Sequence, residues 1–155
     1  MGVHEITDSA SPPGRAGVAA AEFNQAITEP LLRGALEALE EAGVVDVVVM
    51  RVPGALELPL AADALAESGC RLVVAVGAVI EGETDHYEVV ARESARGLMD
   101  VAIRRGVPVG NAVLTVREYR HAVERAAPGP SNKGREAAEG AVLLARRLAS
   151  LRSES

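Results

Sequence analysis

Aromatic residues are nearly absent: the 155-residue chain has no tryptophan, two tyrosines and one phenylalanine, Phe23. Lysine is almost missing too, since Lys133 stands alone among 16 lysine and arginine residues. One cysteine, Cys70, excludes an intramolecular disulfide framework. No apolar run approaches the roughly 20 residues that span a bilayer, and the opening MGVHEITDSASPPGRAG lacks the apolar core of a secretory signal. These absences lead us to expect a reduced, cytoplasmic protein without a membrane partner. Net charge is −6 and the arginines are scattered, so no basic stripe follows nucleic-acid phosphates, and nucleic acid is not an expected partner.

What is present suffices for one core. The chain is 48% hydrophobic and its length suits a single domain. Residues 1–16, rich in Ser, Pro and Gly and without periodicity, read as a flexible N-terminal arm, and 17–151 as one domain. The runs VVDVVVMRV (44–52) and RLVVAVGAVI (71–80) are β-branched and nearly continuous, as in strands covered on both faces of a parallel sheet. GVAAAEF (17–23) and VPVGNAVLT (107–115) take strand places by their position in the pattern. Segments 29–43, 58–69, 85–106 and 134–151 carry apolar residues at helical spacing with glycine stops, and a short helix is expected over 117–126. The alternation predicts a layered α/β domain with a mostly parallel, four-stranded sheet.

Ligands of such sheets bind beyond the carboxyl ends of the strands. Those ends carry Phe23-Asn24, then Val52 to Glu57, then Gly82-Glu83-Thr84-Asp85-His86, and Thr115. His86 carries an imidazole, the side chain suited to proton exchange at neutral pH; alternatively Asp85 and Glu88 form a capping pattern in which His86 is a solvated first-turn residue.

The stretches EFNQAITEPLLRGALEAL, VPGALELPLAA, GAVIEGETDHYEVV, GVPVGNAVLT and NKGREAAEGAVLLA stand in an order and spacing that resembles the lumazine synthases of riboflavin biosynthesis. The resemblance covers about residues 17 to 150. It implies a flavodoxin-like three-layer α/β/α sandwich that assembles into homopentamers or their multiples, with active sites at subunit interfaces, and riboflavin synthase as a further partner. The implied reaction condenses 5-amino-6-(D-ribitylamino)uracil with 3,4-dihydroxy-2-butanone 4-phosphate to give 6,7-dimethyl-8-ribityllumazine, phosphate and water. It calls for no metal or other cofactor.

Carried over residue by residue, the resemblance makes His86 the proton-transfer group. Phe23 stacks on the pyrimidine, where otherwise it would be one more core residue. Asn24 and Glu57 meet the uracil or the ribityl hydroxyls, although Glu57 also suits a helix N-terminus. Ala55, Leu56, Gly77, Ala78, Val79 and Ile80 supply backbone contacts and an apolar wall. Gly82, Glu83 and Thr84 at a helix N-terminus cradle phosphate, completed by Arg125 and Lys133 from the neighbouring subunit. Asn111 covers the substrate from that neighbour.

Departures from the family pattern are Glu81, where arginine is frequent, Leu56 for an aromatic and Asn111 for phenylalanine. Asp85 adds a negative charge near the phosphate loop, and we expect it to cap the following helix. These departures keep a second reading open: a divergent, non-catalytic paralogue that binds flavins or lumazines or forms a shell. A generic nucleotide-binding module would need glycines after the first strand, which AEFNQAIT lacks.

Overall fold

The computed structural model describes residues 1–9, 11 and 13–153. Positions 10 and 12, which fall in the expected arm, lie outside the described residues. Strands β1 (Ala16–Ala21), β2 (Val47–Val52), β3 (Leu72–Ile80) and β4 (Val109–Val116) form one sheet of order β2-β1-β3-β4. Every pairing is parallel. The helices are α1 (Gln25–Glu41), α2 (Leu58–Glu67), α3 (His86–Arg105), α4 (Tyr119–Ala126) and α5 (Lys133–Ser153).

Side chains alternate across the strands and so divide the core. Val18, Leu72, Val74, Val76 and Leu114 point to the face covered by α1, α4 and α5. Ala19, Val73, Ala75 and Val79 point to the face covered by α2 and α3. The result is the three-layer α/β/α sandwich. Among the described residues no helix is long and apolar enough to cross a membrane. Ahead of β1 the chain touches α5, where Asp8 pairs with Arg147 at 3.0 Å.

The differences from expectation are local. β2 lacks the expected Val44 to Asp46, and the helix stop explains why. Gly43 takes a φ of 86°, its N–H donates to the Glu40 carbonyl, and that of Val44 donates to the Leu39 carbonyl. Val44 is thus the buried plug of a Schellman motif rather than a strand residue. Gly69 and Cys70 end α2 in the same way, on the carbonyls of Ala66 and Leu65. β2 is also an outer strand, only half buried, and not covered on both faces as its sequence suggests. α1 starts four residues earlier than expected, so Pro30 lies inside it and cannot donate to the Ala26 carbonyl.

Candidate active site

The carboxyl ends of β1, β2 and β3 open into a cleft of about 670 Å³. Its walls include Phe23, Asn24, Ala55, Leu56, Glu57, Ala78, Val79, Ile80, Gly82, Thr84 and His86. The lip is tied together by main-chain bonds: the N–H groups of Glu22 and Phe23 donate to the carbonyls of Val52 and Pro53 at 2.8 and 3.0 Å. Asn24 follows in the left-handed region, φ 63° and ψ 49°, which asparagine tolerates better than most residues. Its side-chain amide donates to the Ala78 carbonyl at 3.1 Å, joining the ends of β1 and β3 across the cleft floor. That bond commits the amide nitrogen and leaves the oxygen as the acceptor. Phe23, just before this turn, is 71% exposed at the lip. An aromatic ring held in solvent at a cleft mouth is a stacking surface without its partner.

Glu57 ends a 3-10 turn over Ala55–Glu57. One carboxylate oxygen accepts from the Gly54 N–H at 3.0 Å, so Glu57 fixes the loop with one oxygen and leaves the second out of that bond. His86 opens α3 as an exposed residue. Its N–H donates to the Thr84 hydroxyl at 3.3 Å. Asp85 makes no side-chain cap bond, contrary to expectation. Thr84, two residues ahead of His86, supplies the hydroxyl instead.

Among the described residues, no arginine or lysine lines this cleft. The cations lie elsewhere: Arg125 and Lys133 line a separate groove of about 460 Å³ along the outer edge of β4, with Asn111, Thr115 and Glu136. Lys133 Nζ pairs with Glu136 at 2.8 Å. The Arg125 guanidinium donates to the His121 carbonyl at 3.1 Å. Asn111 folds back on its own strand, where its Oδ1 accepts from the Val113 N–H at 2.9 Å. Among the described residues no group of three or more His, Cys, Asp or Glu side chains is placed to hold a metal ion.

The family model of 6,7-dimethyl-8-ribityllumazine synthase matches residues 13–149. The chain belongs to the lumazine synthase family. It is 49% identical over 146 residues to a 6,7-dimethyl-8-ribityllumazine synthase of Methylobacterium radiotolerans, covering 92% of this chain and 88% of that one. It is 48% identical over 130 residues to the enzymes of the same name from Azorhizobium caulinodans, with 80% of each chain covered, and Xanthobacter autotrophicus, with 80% and 78% covered.

Against the lumazine synthase pattern, the fold brings His86 together with most of the expected pyrimidine-site residues. It does not bring Gly77, Glu83, Asn111, Arg125 or Lys133 to the same cleft. Gly77 is buried one layer below, where an added Cβ would sit 3.3 Å from Leu58 and 3.4 Å from Ala21. Glu83 is exposed and is not among the cleft's lining residues. Glu81 pairs with Arg117 at 3.1 Å between the ends of β3 and β4. Sequence reasoning passed over Tyr87, Val90 and Ala21 and named Pro53 and Gly54 only as part of the loop after β2; all five line the cleft. Tyr87 also borders the neighbouring groove between α3 and β4 that contains Asn111. Adjacency to His86 on the first turn of a helix was the available signal.

Proposed function

We propose that this lumazine synthase makes 6,7-dimethyl-8-ribityllumazine in the cytoplasm at sites shared between subunits. The cleft of one subunit takes 5-amino-6-(D-ribitylamino)uracil, and the β4-edge groove of the next supplies Arg125 and Lys133 to the phosphate of 3,4-dihydroxy-2-butanone 4-phosphate. The observation that carries this reading is the absence of any arginine or lysine among the lining residues of a cleft that must meet a dianion. A phosphate held there has hydroxyl, amide, imidazole and backbone donors but no lysine or arginine, whereas two such cations add charge-assisted hydrogen bonds of about 1.5–3 kcal/mol each. Exposed apolar residues support the assembly: Val89, Met99 and Ile103 form a stripe at helical spacing on α3, and Leu60 is exposed on α2. A homopentamer or a multiple of it satisfies both needs.

In this reading Phe23 stacks on the pyrimidine, while Glu57 and Asn24 accept hydrogen bonds from its ribityl hydroxyls or ring N–H groups. His86, beside the phosphate loop of Gly82, Glu83 and Thr84, takes and returns protons during imine formation, phosphate loss and ring closure. Holding the two reactants in contact supplies much of the acceleration, because the condensation otherwise requires a bimolecular encounter. The non-catalytic reading has no observation in its favour, since a shell protein or flavin binder has no need of the Arg125 and Lys133 groove in addition to a histidine-bearing cleft.

Two measurements test the proposal. Purified protein given both substrates is expected to form lumazine, followed by absorbance, and to release phosphate faster than the spontaneous reaction. Rates equal to the protein-free control with an intact oligomer would overturn it. Mixed oligomers of His86→Ala and Lys133→Ala chains are expected to be more active than either variant alone, because some interfaces then carry both intact residues. No recovery in verified mixed oligomers would overturn the shared site.

A further inference from the structure

The asparagine that precedes Lys133 is 1% exposed, and every hydrogen-bonding group it has is used. Its side-chain nitrogen donates to the Ala126 carbonyl at 2.8 Å and to the Pro30 carbonyl at 3.2 Å. Its side-chain oxygen accepts from the Arg135 N–H at 3.0 Å and so caps α5. Its backbone N–H donates to Gly129, and its carbonyl accepts from Glu136. The fold makes room for this one side chain: a Cβ on Gly34 of α1 would lie 2.1 Å from the Asn132 oxygen. Beside it a Cβ on Gly134 would lie 2.0 Å from the Leu31 carbonyl, so α5 begins in direct contact with α1.

The bonded positions are the notable ones. Ala126 follows Arg125, and Lys133 follows Asn132. A single buried amide therefore fixes the end of α4 relative to the start of α5, with α1 as the common anchor. Among the described residues the two cations have local partners, His121 and Glu124 for Arg125 and Glu136 for Lys133. Nothing in those contacts sets one cation relative to the other. Resting on the phosphate reading of Arg125 and Lys133 above, we propose that Asn132 is a positioning residue for phosphate recognition: it sets the spacing of the two cations and thereby the affinity for the phosphorylated substrate, without touching that substrate itself.

Around metal ligands, removing the group that orients a ligating side chain costs about 10- to 100-fold in affinity, and the low end is the scale taken for this cation pair. Asn132→Ala is therefore expected to raise the KM for 3,4-dihydroxy-2-butanone 4-phosphate and the inhibition constant of inorganic phosphate by about tenfold. The KM for the pyrimidine and kcat should stay within about twofold. Asn132→Ser, whose hydroxyl reaches for one of the carbonyls, should fall between. The decisive arm is a cycle: in an Arg125→Ala/Lys133→Ala background, Asn132→Ala should leave the KM for the phosphorylated ketone unchanged, because no cation pair remains to position. A purely structural role would move both substrates' KM values together and persist in that background, and either result would overturn the proposal. Failure of both Asn132 variants to assemble would likewise assign Asn132 to structure alone. Lys133→Ala run alongside separates the two levels of argument. If it leaves the KM for the phosphorylated ketone unchanged, the phosphate reading itself falls and this inference with it. If it raises that KM while the Asn132 variants do not, only the inference fails.

Discussion

The cleft at the ends of β1, β2 and β3 and the groove along β4 are built by different means. The cleft is bounded by main-chain ties between loops and is lined by apolar walls, a histidine and no arginine or lysine. The groove is an edge of the sheet, open along the unpaired side of β4, and carries Arg125 and Lys133. One surface can enclose a planar, uncharged heterocycle. The other can hold an anion but cannot enclose anything. The difference teaches that enclosure and cationic charge reside on separate surfaces of one chain, which is why the proposed reading calls on a second copy to bring them together.

The largest expected effect breaks the groove. Arg125→Ala/Lys133→Ala removes charge-assisted bonds of about 1.5–3 kcal/mol each, so the KM for the phosphorylated ketone should rise by on the order of 100-fold or more. The pyrimidine KM should not follow it. Steady-state kinetics with each substrate varied in turn is the measurement, and parallel rises would mean that the two surfaces do not divide the substrates between them.

Next in size is the chemistry of the cleft. His86→Ala is expected to lower kcat by about 10- to 100-fold, the low end for general acid–base catalysis, because positioning of the reactants carries much of the work. Both KM values should change little. Phe23→Ala comes after it: one aromatic pairing contributes about 0.5–1.5 kcal/mol beyond area, so pyrimidine KM should rise about three- to tenfold, with the ketone unaffected.

Both sides of the sheet also carry a carboxylate–arginine clamp, and acid should distinguish them. Asp63 of α2 accepts two bonds from Arg105 of α3, at 2.8 and 2.9 Å, behind the cleft. Glu41 of α1 does the same with Arg135 of α5, at 2.8 and 3.0 Å, on the groove side. In each case hydrogen bonds from the guanidinium, with its charge, hold the carboxyl below its ordinary pKa. A lowered folded pKa means that stability is present above the ordinary carboxylate range and lost as pH falls through the folded value. Asp63→Asn should therefore lower the thermal midpoint at pH 7, and the difference from wild type should close below about pH 4. Glu41→Gln should do the same by less, because the Glu41 side chain is far more exposed, 65% against 20% for Asp63. Equal shifts, or a difference that widens in acid, would contradict this assignment.

How much of this was legible depends on the range over which each signal acts. The order of strands and helices follows from runs of valine and from helical spacing, both of which persist over whole elements. Boundaries fail where one residue serves a neighbour: Val44 looks like strand and is the plug of a helix stop, and Pro30 looks like a helix start and lies inside α1. At the site, Phe23 and Glu57 follow the ends of β1 and β2 and His86 begins α3, places that the order of strands and helices makes legible. Asp85 has the composition of a cap without its bond, and Thr84 takes that place. Asn132 is illegible by itself, because its partners Pro30 and Ala126 belong to two other helices, and only the packing of α1, α4 and α5 reveals why an asparagine stands before the lysine.

The smallest effect sharpens the comparison most. Asn111 lies on the groove but stands where the family often places a phenylalanine that lids the neighbour's cleft. Restoring the aromatic by Asn111→Phe should tighten pyrimidine or riboflavin binding by about 0.5–1.5 kcal/mol if the ring reaches across an interface. The structure adds a cost of another kind, because Asn111 Oδ1 satisfies the Val113 N–H on the exposed edge of β4, and the substitution removes that bond from the free and the bound protein alike. A hydrogen bond of this kind contributes about 0.5–1.5 kcal/mol net to stability, less where water replaces it, so the thermal midpoint should fall slightly. Ligand affinity is expected to gain at least about twofold, the low end of the aromatic range, read by flavin fluorescence titration with oligomer size checked by light scattering. Unchanged or weaker binding with the assembly intact would show that residue 111 does not reach the ligand. A tenfold gain would show that residue 111 belongs to the neighbour's cleft more than to its own groove.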